Sequence, residues 1–269
     1  MNLFNFRPEE VVSFFAVLVR LSVLFSVLPF FGDKMIPAPA RILLSLIVSI
    51  TLFPPLVVGG YIHTQDAKIW AATAGGIAQT VLLEVLFAVV LGYTARIFFD
   101  GISFGANLIG NFMGFASASI YDPHQESQTE VVAALQTSIA MLIFLVLDGH
   151  HIMLRAALES YRIVGLGQMG FYASLTQKII QMTADMIRIG IQISAPVAIS
   201  IFAVNVVFGV LSRAMPQLNV FMLSFAVSAG VGLLVMLLSV DESYGVLRSV
   251  FEKIGDSMLA VMQAIASRR

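Results

Sequence analysis

"IWAATAGGIAQTVLLEVLFAVVLGYTARIFF", Ile69 to Phe99, decides what kind of chain this is. Across its 31 residues the only charges are Glu84 and Arg96. A helix needs about 20 mainly apolar residues to cross a bilayer. This run is therefore longer than one crossing requires, and it carries an acid near its middle.

Comparable runs recur outward from it, at Val11–Phe31, Ile42–Ile62, Ile189–Leu211 and Val220–Val240, with a shorter one at Val131–Leu147. The breaks between them are brief: "GDKMIPAPAR", "HTQDAK", "DPHQESQTE" and "SRAMPQLN". Only Asp148–Arg188 forms a long break, mixing charges with apolar residues and three glycines, Gly165, Gly167 and Gly170. Of the 269 residues 58% are hydrophobic and 12% charged, with a mean hydropathy of +0.92. Soluble domains carry about 25% charged residues. Open sheet edges are not viable in lipid, and no alternating pattern suggests a barrel. The reading is an all-α integral membrane protein built of helical hairpins.

Composition also excludes. A net charge of −1 offers no basic face for nucleic acid. The absence of cysteine removes disulfides, thiolate metal sites and a cysteine nucleophile. Val11–Phe31 is too long for a signal-peptide core, and no small-residue cleavage site follows it, so no signal peptide is expected to be removed.

Broken helices are expected as well. Leu52-Phe53-Pro54-Pro55 should interrupt its run near the centre, because proline removes a donor and crowds the preceding turn. Irregular backbone at membrane depth survives only under protein or beside water. Much of the chain should therefore be covered by partner subunits. Counting Lys and Arg over six crossings puts Lys68, Arg155, Arg162, Lys178, Arg248, Lys253, Arg268 and Arg269 on the side of the N-terminus, against Lys34, Arg41 and Arg213. The positive-inside rule then places both termini in the cytoplasm. Beyond Val240, Leu247, Val250, Phe251, Ile254, Met258, Val261, Met262 and Ile265 recur at helical spacing, opposite Arg248, Glu252, Lys253 and Asp256. Residues 241–269 thus read as an amphipathic helix, lying on the membrane, on a partner or on its own protein.

No enzyme emerges. Asp148-Gly149-His150-His151 is the most site-like cluster, but successive helix positions project about 100° apart, which suits one metal poorly. A turn at a helix end is the better reading. Tyr121-Asp122 lacks the second aspartate that a paired-carboxylate protease needs. There is no G-x-S-x-G elbow and no phosphate loop. No catalytic residue, cofactor or metal is assigned. The buried-charge candidates are Arg20, Glu84 and Arg96. Glu84 and Arg96 stand about 18 Å apart on a straight helix and do not pair, whereas Arg20 and Glu84 can meet between helices. An ion relay uses several acids, so structural pairing is the expected role.

"GNFMGFASASIYDPHQE", Gly110 to Glu126, is neutral until Asp122 and built from small residues with Phe and Met. Gly101-x-x-x-Gly105 and Gly110-x-x-x-Gly114 permit close helix approach. Met113, with Phe112 and Phe115, adds deformable apolar bulk. Such a strip suits a segment enclosed by protein, able to pack and to move aside.

Four stretches together resemble the FliR/SctT family of type III secretion export-gate proteins. They are "RLSVLFSVLPFFGDKMIPAPAR", "FMGFASASIYDPHQESQTEV", "FLVLDGHHIMLRAALESYRIVGLG" and "SAPVAISIFAVNVVFGVLSRAMPQLNVFMLSFAVSAGVGLL". The order and spacing of Asp122-Pro123, Gly149-His150-His151 and Arg213-x-x-Pro216-Gln217-x-Asn219 carry the likeness over nearly the whole chain. The resemblance implies a non-enzymatic channel subunit in the bacterial inner membrane, at the flagellar basal body. It would assemble with FliP and FliQ homologues into a helical hetero-oligomer, with an FlhB homologue at the cytoplasmic entrance and unfolded flagellar subunits as cargo. Residues 1–188 would be a FliP-like part and 189–240 a FliQ-like hairpin, leaving 241–269 as the amphipathic helix. A plug at about 106–122 would include Gly110, Phe112, Met113, Gly114, Phe115, Ser117, Ser119 and Tyr121, with Asp122 and Pro123 fixing its exit. Arg213, Pro216, Gln217 and Asn219 would face a cytoplasmic partner, against the charge count, and here the resemblance is preferred. The alternatives are an injectisome gate subunit and an ion-coupled secondary transporter using Glu84 and Pro54-Pro55. The transporter is disfavoured because such proteins show paired breaks and only one is visible.

Overall fold

The computed structural model describes residues 7–32, 36–115, 128–170, 172–215, 217 and 219–266. Among them stand nine α-helices and no strand: α1 Pro8–Val27, α2 Ala38–Val58, the short α3 Ala67–Trp70, α4 Ala74–Phe112, α5 Gln128–Val146, α6 Gly149–Ile163, α7 Ala173–Ala214, α8 Val220–Leu238 and α9 Val240–Ala266. Local chemistry sets several ends. Pro8 opens α1 where its missing N–H costs nothing, and Glu9 and Glu10 fall in the first turn, where negative charge is favoured. Thr73 Oγ1 accepts from the Gly76 amide at 3.1 Å at the start of α4. Asn219 caps α8 by accepting from the Met222 amide at 3.3 Å.

Four helices, α1, α2, α4 and α7, are long and apolar enough to cross a membrane. The number rises to six if two bent pairs, Val131–Val146 with Gly149–Ile163 and Met222–Leu238 with Val240–Ala266, each count as one span. With 39 and 42 residues, α4 and α7 run about 58 and 63 Å, twice the roughly 30 Å of a hydrocarbon core. In the apolar windows of the four helices only 22–39% of residues are buried within the chain, so lipid or other proteins must cover the remainder.

Three expectations are corrected. Pro54 and Pro55 do not break a helix near its centre: α2 runs through both and ends at Val58. They fall in its last turns, so the donors they remove weaken only the end of the helix. Gly59 and Ile62 then close the end on the carbonyls of Pro55 and Leu56, at 2.9 and 3.2 Å. The discontinuities lie instead at Leu147-Asp148 and Ser239. The long break at Asp148–Arg188 holds a whole helix, α6, and the first turns of α7. The run at Ile69 is also divided, since Ile69 and Trp70 belong to α3 while α4 continues to Phe112.

Tertiary contacts divide the chain into two units, each discontinuous in sequence. The first comprises Met1–Ile97, His150–Met182 and Lys253–Arg269. Here α1 lies on α2 through the edge-on Phe14–Phe53 pair, 5.6 Å between centroids, and a 3.1 Å bond from Ser22 Oγ to Ser45 Oγ. Gly92 lets α4 approach Leu24 and Val27 of α1. Ile254, Met258, Val261, Met262 and Ile265 of α9 are buried, so the amphipathic stripe docks on its own protein.

The second unit comprises Phe98–Gly149 and Thr183–Glu252. Its aromatic core is Phe99, Phe144 and Phe251, with centroids 5.1–5.3 Å apart. Phe251 is 1% exposed. Phe251→Ala is expected to lower stability by about 3–5 kcal/mol, the usual cost of such a cavity. A fall in the melting temperature of the detergent-purified chain would check it.

In the same unit α4 and α7 cross backbone to backbone. A Cβ at Gly105 would stand 2.8 Å from the Gly190 carbonyl oxygen, and one at Gly101 would stand 3.0 Å from that of Met186.

Candidate functional site

The charged centre of the first unit is built by helical spacing. On α4, Thr80, Glu84, Phe87, Ala88 and Leu91 share the buried face. Across from it Arg20 of α1 is as buried as Glu84, each 1% exposed. Arg20 Nε donates to Glu84 Oε2 at 2.5 Å and Nη2 to Oε1 at 3.0 Å, a bidentate pair. Nη1 donates to the Val164 carbonyl at 3.1 Å and to the carbonyl and hydroxyl oxygens of Ser160 at 3.4 Å. Nη2 also reaches the Gly165 carbonyl at 3.3 Å. Phe87 and Tyr161 cover the guanidinium, their ring centroids 4.4 and 4.5 Å from Cζ. Tyr161 is itself fixed by donating its hydroxyl to the Val17 carbonyl at 3.2 Å.

The loop after α6 closes the other side. Gly167 donates its amide to Glu84 Oε1 at 2.6 Å, with φ at +68°, a conformation that favours glycine. One ion pair thus ties α1, α4, α6 and the loop into a single body. Every nitrogen of the guanidinium is engaged, and neither partner faces solvent. The arrangement suits a fixed anchor better than a group that exchanges protons or ions.

Arg96 stands apart. Twelve residues beyond Glu84 on α4, it comes round about 120° from the Glu84 face and is exposed within the chain itself.

The neutral strip begins inside a helix. Gly110 and Phe112 occupy the last turn of α4, and Gly114, at φ +87°, turns the chain out of it. Met113 is fully buried, and its side chain lies over Gly232 of α8, where a Cβ would meet it at 2.6 Å. Gly114 faces Phe225, and the Phe115 ring meets Phe225 edge-on at 5.8 Å. The root of the strip is therefore seated along one face of α8, while Phe112 is 43% exposed. Ser117, Ser119, Tyr121, Asp122 and Pro123 lie outside the described residues. So does Pro216; Arg213, Gln217 and Asn219 are exposed around the α7–α8 turn.

Asp148, at φ +55°, and Gly149 make the turn between α5 and α6. A side chain at Gly149 would collide with the Phe144 ring, which explains the glycine. The His150 and His151 rings do not diverge as successive helix positions suggest: their centroids are 4.1 Å apart.

What sequence reading missed is Gly167, whose amide completes the ion pair, and the two glycines on the far side of close contacts, Gly190 and Gly232. Neither has a glycine four residues away, so a glycine-only pairing rule passes over both, and only the small residues Ser194 and Ser228 at that spacing would have pointed to them.

Apolar helices of span length, tied together by one closed charge pair, define a polytopic helical membrane protein. The chain belongs to the FliR family, the bacterial export proteins of family 1, whose model matches residues 11–254. It is similar to the flagellar biosynthetic protein FliR of Bacillus subtilis (strain 168), 25% identical over 89% of this chain and 90% of the relative. The FliR protein of Pectobacterium carotovorum is 23% identical over 96% of this chain and 95% of its own length. That of Escherichia coli K12 is 21% identical over 83% and 82%. This is a flagellar export component of the type III secretion class.

Proposed function

We propose that the chain is a non-enzymatic subunit of the flagellar protein export gate. In this reading it assembles with FliP and FliQ homologues in the bacterial inner membrane, at the flagellar basal body. An FlhB homologue engages the α7–α8 turn around Arg213, Pro216, Gln217 and Asn219. Residues 1–188 act as the FliP-like part and 189–240 as the FliQ-like hairpin. The segment from about 106 to 122 closes the channel until an unfolded flagellar subunit passes.

The observation that carries the reading is the family match over residues 11–254, joined to apolar helices that leave most of their surface uncovered. Such helices call for other chains as well as lipid. The neutral strip at the end of α4 adds support, since a passage for chains of any sequence is best lined without fixed charge.

The test is co-expression with the FliP and FliQ homologues of the same genome, followed by the mass of what purifies in mild detergent. One large complex holding all three is expected, and deletion of Gly110–Tyr121 should then make the membrane leak ions. A stable monomer or homodimer that ignores both partners would end the gate reading.

A further inference from the structure

The C-terminal ends of two helices meet at one cavity of the first unit. Its volume is about 660 Å³, with Ile163 and Val164 at the end of α6 on one side and Ile265 and Ala266 at the end of α9 on another. The loop from Gly167 to Gly170, with Tyr172, supplies the rest of the lining. Among the described residues its only polar side chains are Gln168 and Tyr172, and none is charged. A helix ends on carbonyls that have no partner within it, and these carry the negative end of its dipole. Two such ends at one cavity favour a cation there.

Within the first unit these ends are met by groups that add no net charge. Arg20 takes carbonyls of Ser160, Val164 and Gly165, but Glu84 offsets it. Ser174 Oγ donates to the Ala264 carbonyl at 3.2 Å and is neutral. Arg162, just before the lining, is held by Glu159 at 3.2 Å and by the Tyr61 ring.

We propose that the cavity seats the residues that follow α9, Ser267-Arg268-Arg269, with a guanidinium donating to the carbonyls that end α6 and α9. These three lie outside the described residues. The proposal concerns the chain by itself and goes beyond the gate reading. Its first support is where α9 stops. Met262 and Ile265 are buried, so the helix leaves from a fixed point, and Ala266 already lines the cavity. Three extended residues span about 11 Å, which keeps both arginines within reach. Arginine just past a helix C-terminus commonly bonds the last carbonyls. The second support is sign: a lipid phosphate or an acidic segment would meet the wrong end of both dipoles. A foreign cation would have to compete with two tethered ones, whose effective concentration is on the order of millimolar or more. A seated arginine would also brace the loop whose Gly167 amide completes the ion pair, so that the end of α9 steadies the charged centre.

The experiment places a photoreactive side chain at the exposed Gln168 of the full-length, detergent-purified protein, in a mixture of isotopically light and heavy chains, and locates the adduct by mass spectrometry. In parallel, hydrogen exchange is followed over residues 164–172 in wild type, in Arg268→Ala with Arg269→Ala, and in Arg268→Lys with Arg269→Lys. The expected adduct joins position 168 to residues 267–269 of the same chain. In the alanine variant its yield should fall about tenfold and the loop should exchange about tenfold faster, the equivalent of one hydrogen bond to a charged group. The lysine variant should stay close to wild type. Exchange over α5 should be the same in all three, since the substitutions lie beyond the buried turns of α9. Adducts confined to detergent or to a second copy would overturn the proposal, as would an alanine variant whose loop exchanges like wild type. Faster exchange in α5 as well would mean a general loosening and would equally overturn it.

Discussion

Glu84→Ala is expected to be the most damaging single charge substitution in this protein, at about 3–5 kcal/mol, because it leaves a buried guanidinium without its counter-ion. Arg20 makes its two strongest contacts to that carboxylate, and Gly167 donates to it as well. Removing it strands a cation between two aromatic rings and frees the loop after α6. The detergent-purified chain should melt at a lower temperature, and export of flagellar subunits into the medium should fall with the amount of folded protein. Glu84→Gln should be milder, since its carbonyl oxygen still accepts from Gly167 while its amide meets Arg20 donor to donor.

The informative comparison is the double substitution Arg20→Met with Glu84→Leu. Replacing a buried pair by apolar side chains of similar size is often close to neutral. Here the Gly167 amide and the loop carbonyls lose their partners, at about 1–3 kcal/mol. The double variant should therefore be more stable than Glu84→Ala and recover part of the export. A role for Glu84 in ion coupling predicts the opposite, a stable double variant with no activity. That outcome would bring back the transporter and remove the anchor.

The parts of the fold that were legible in sequence are those in which one residue property decides. Span-length apolar runs announce membrane helices regardless of packing, and the stripe from Leu247 to Ile265 shows its buried face by period alone. The pairing of Arg20 with Glu84 was open to inference because two opposite charges in apolar helices seek each other. Illegible were features whose cause lies elsewhere in the chain. The first turns of α7 were taken for a break because Gln177, Lys178, Gln181, Asp185 and Arg188 lower the local hydropathy. Yet Leu175, Met182 and Ile189 are buried at seven-residue spacing, the signal that would have revealed a half-exposed helix. Pro54 and Pro55 misled because a proline's effect depends on how many turns follow it. In the strip after Gly110, composition shows a neutral segment of small residues, but the seat of its root on Phe225 and Gly232 is a matter of tertiary contact.

Gly105→Leu should have the second large effect, and the reason is geometric. The crossing of α4 and α7 brings Gly101 and Gly105 against the backbone of Met186 and Gly190. A Cβ at Gly105 stands 2.8 Å from a carbonyl oxygen, and one at Gly190 stands 3.1 Å from the Gly105 nitrogen. Where the obstacle is a flexible side chain, as Met113 is for Gly232, a rotamer change relieves the clash. Here the obstacle is backbone within two regular helices, and relief requires the helices to part. Parting them uncovers Ile102, Ala106, Ile193 and Val197, all buried in the same unit. Overpacking costs about 1–3 kcal/mol in ordinary cores, and the upper end or beyond is expected for leucine, with Gly105→Ala between it and wild type. Melting of the detergent-purified variants should rank them wild type, alanine, leucine. The comparator is Gly209→Leu on the same helix α7, where no atom lies within 4 Å and the chain's own stability should not change. If Gly105→Leu melts with wild type while Gly209→Leu does not, the close crossing is not what holds this unit together.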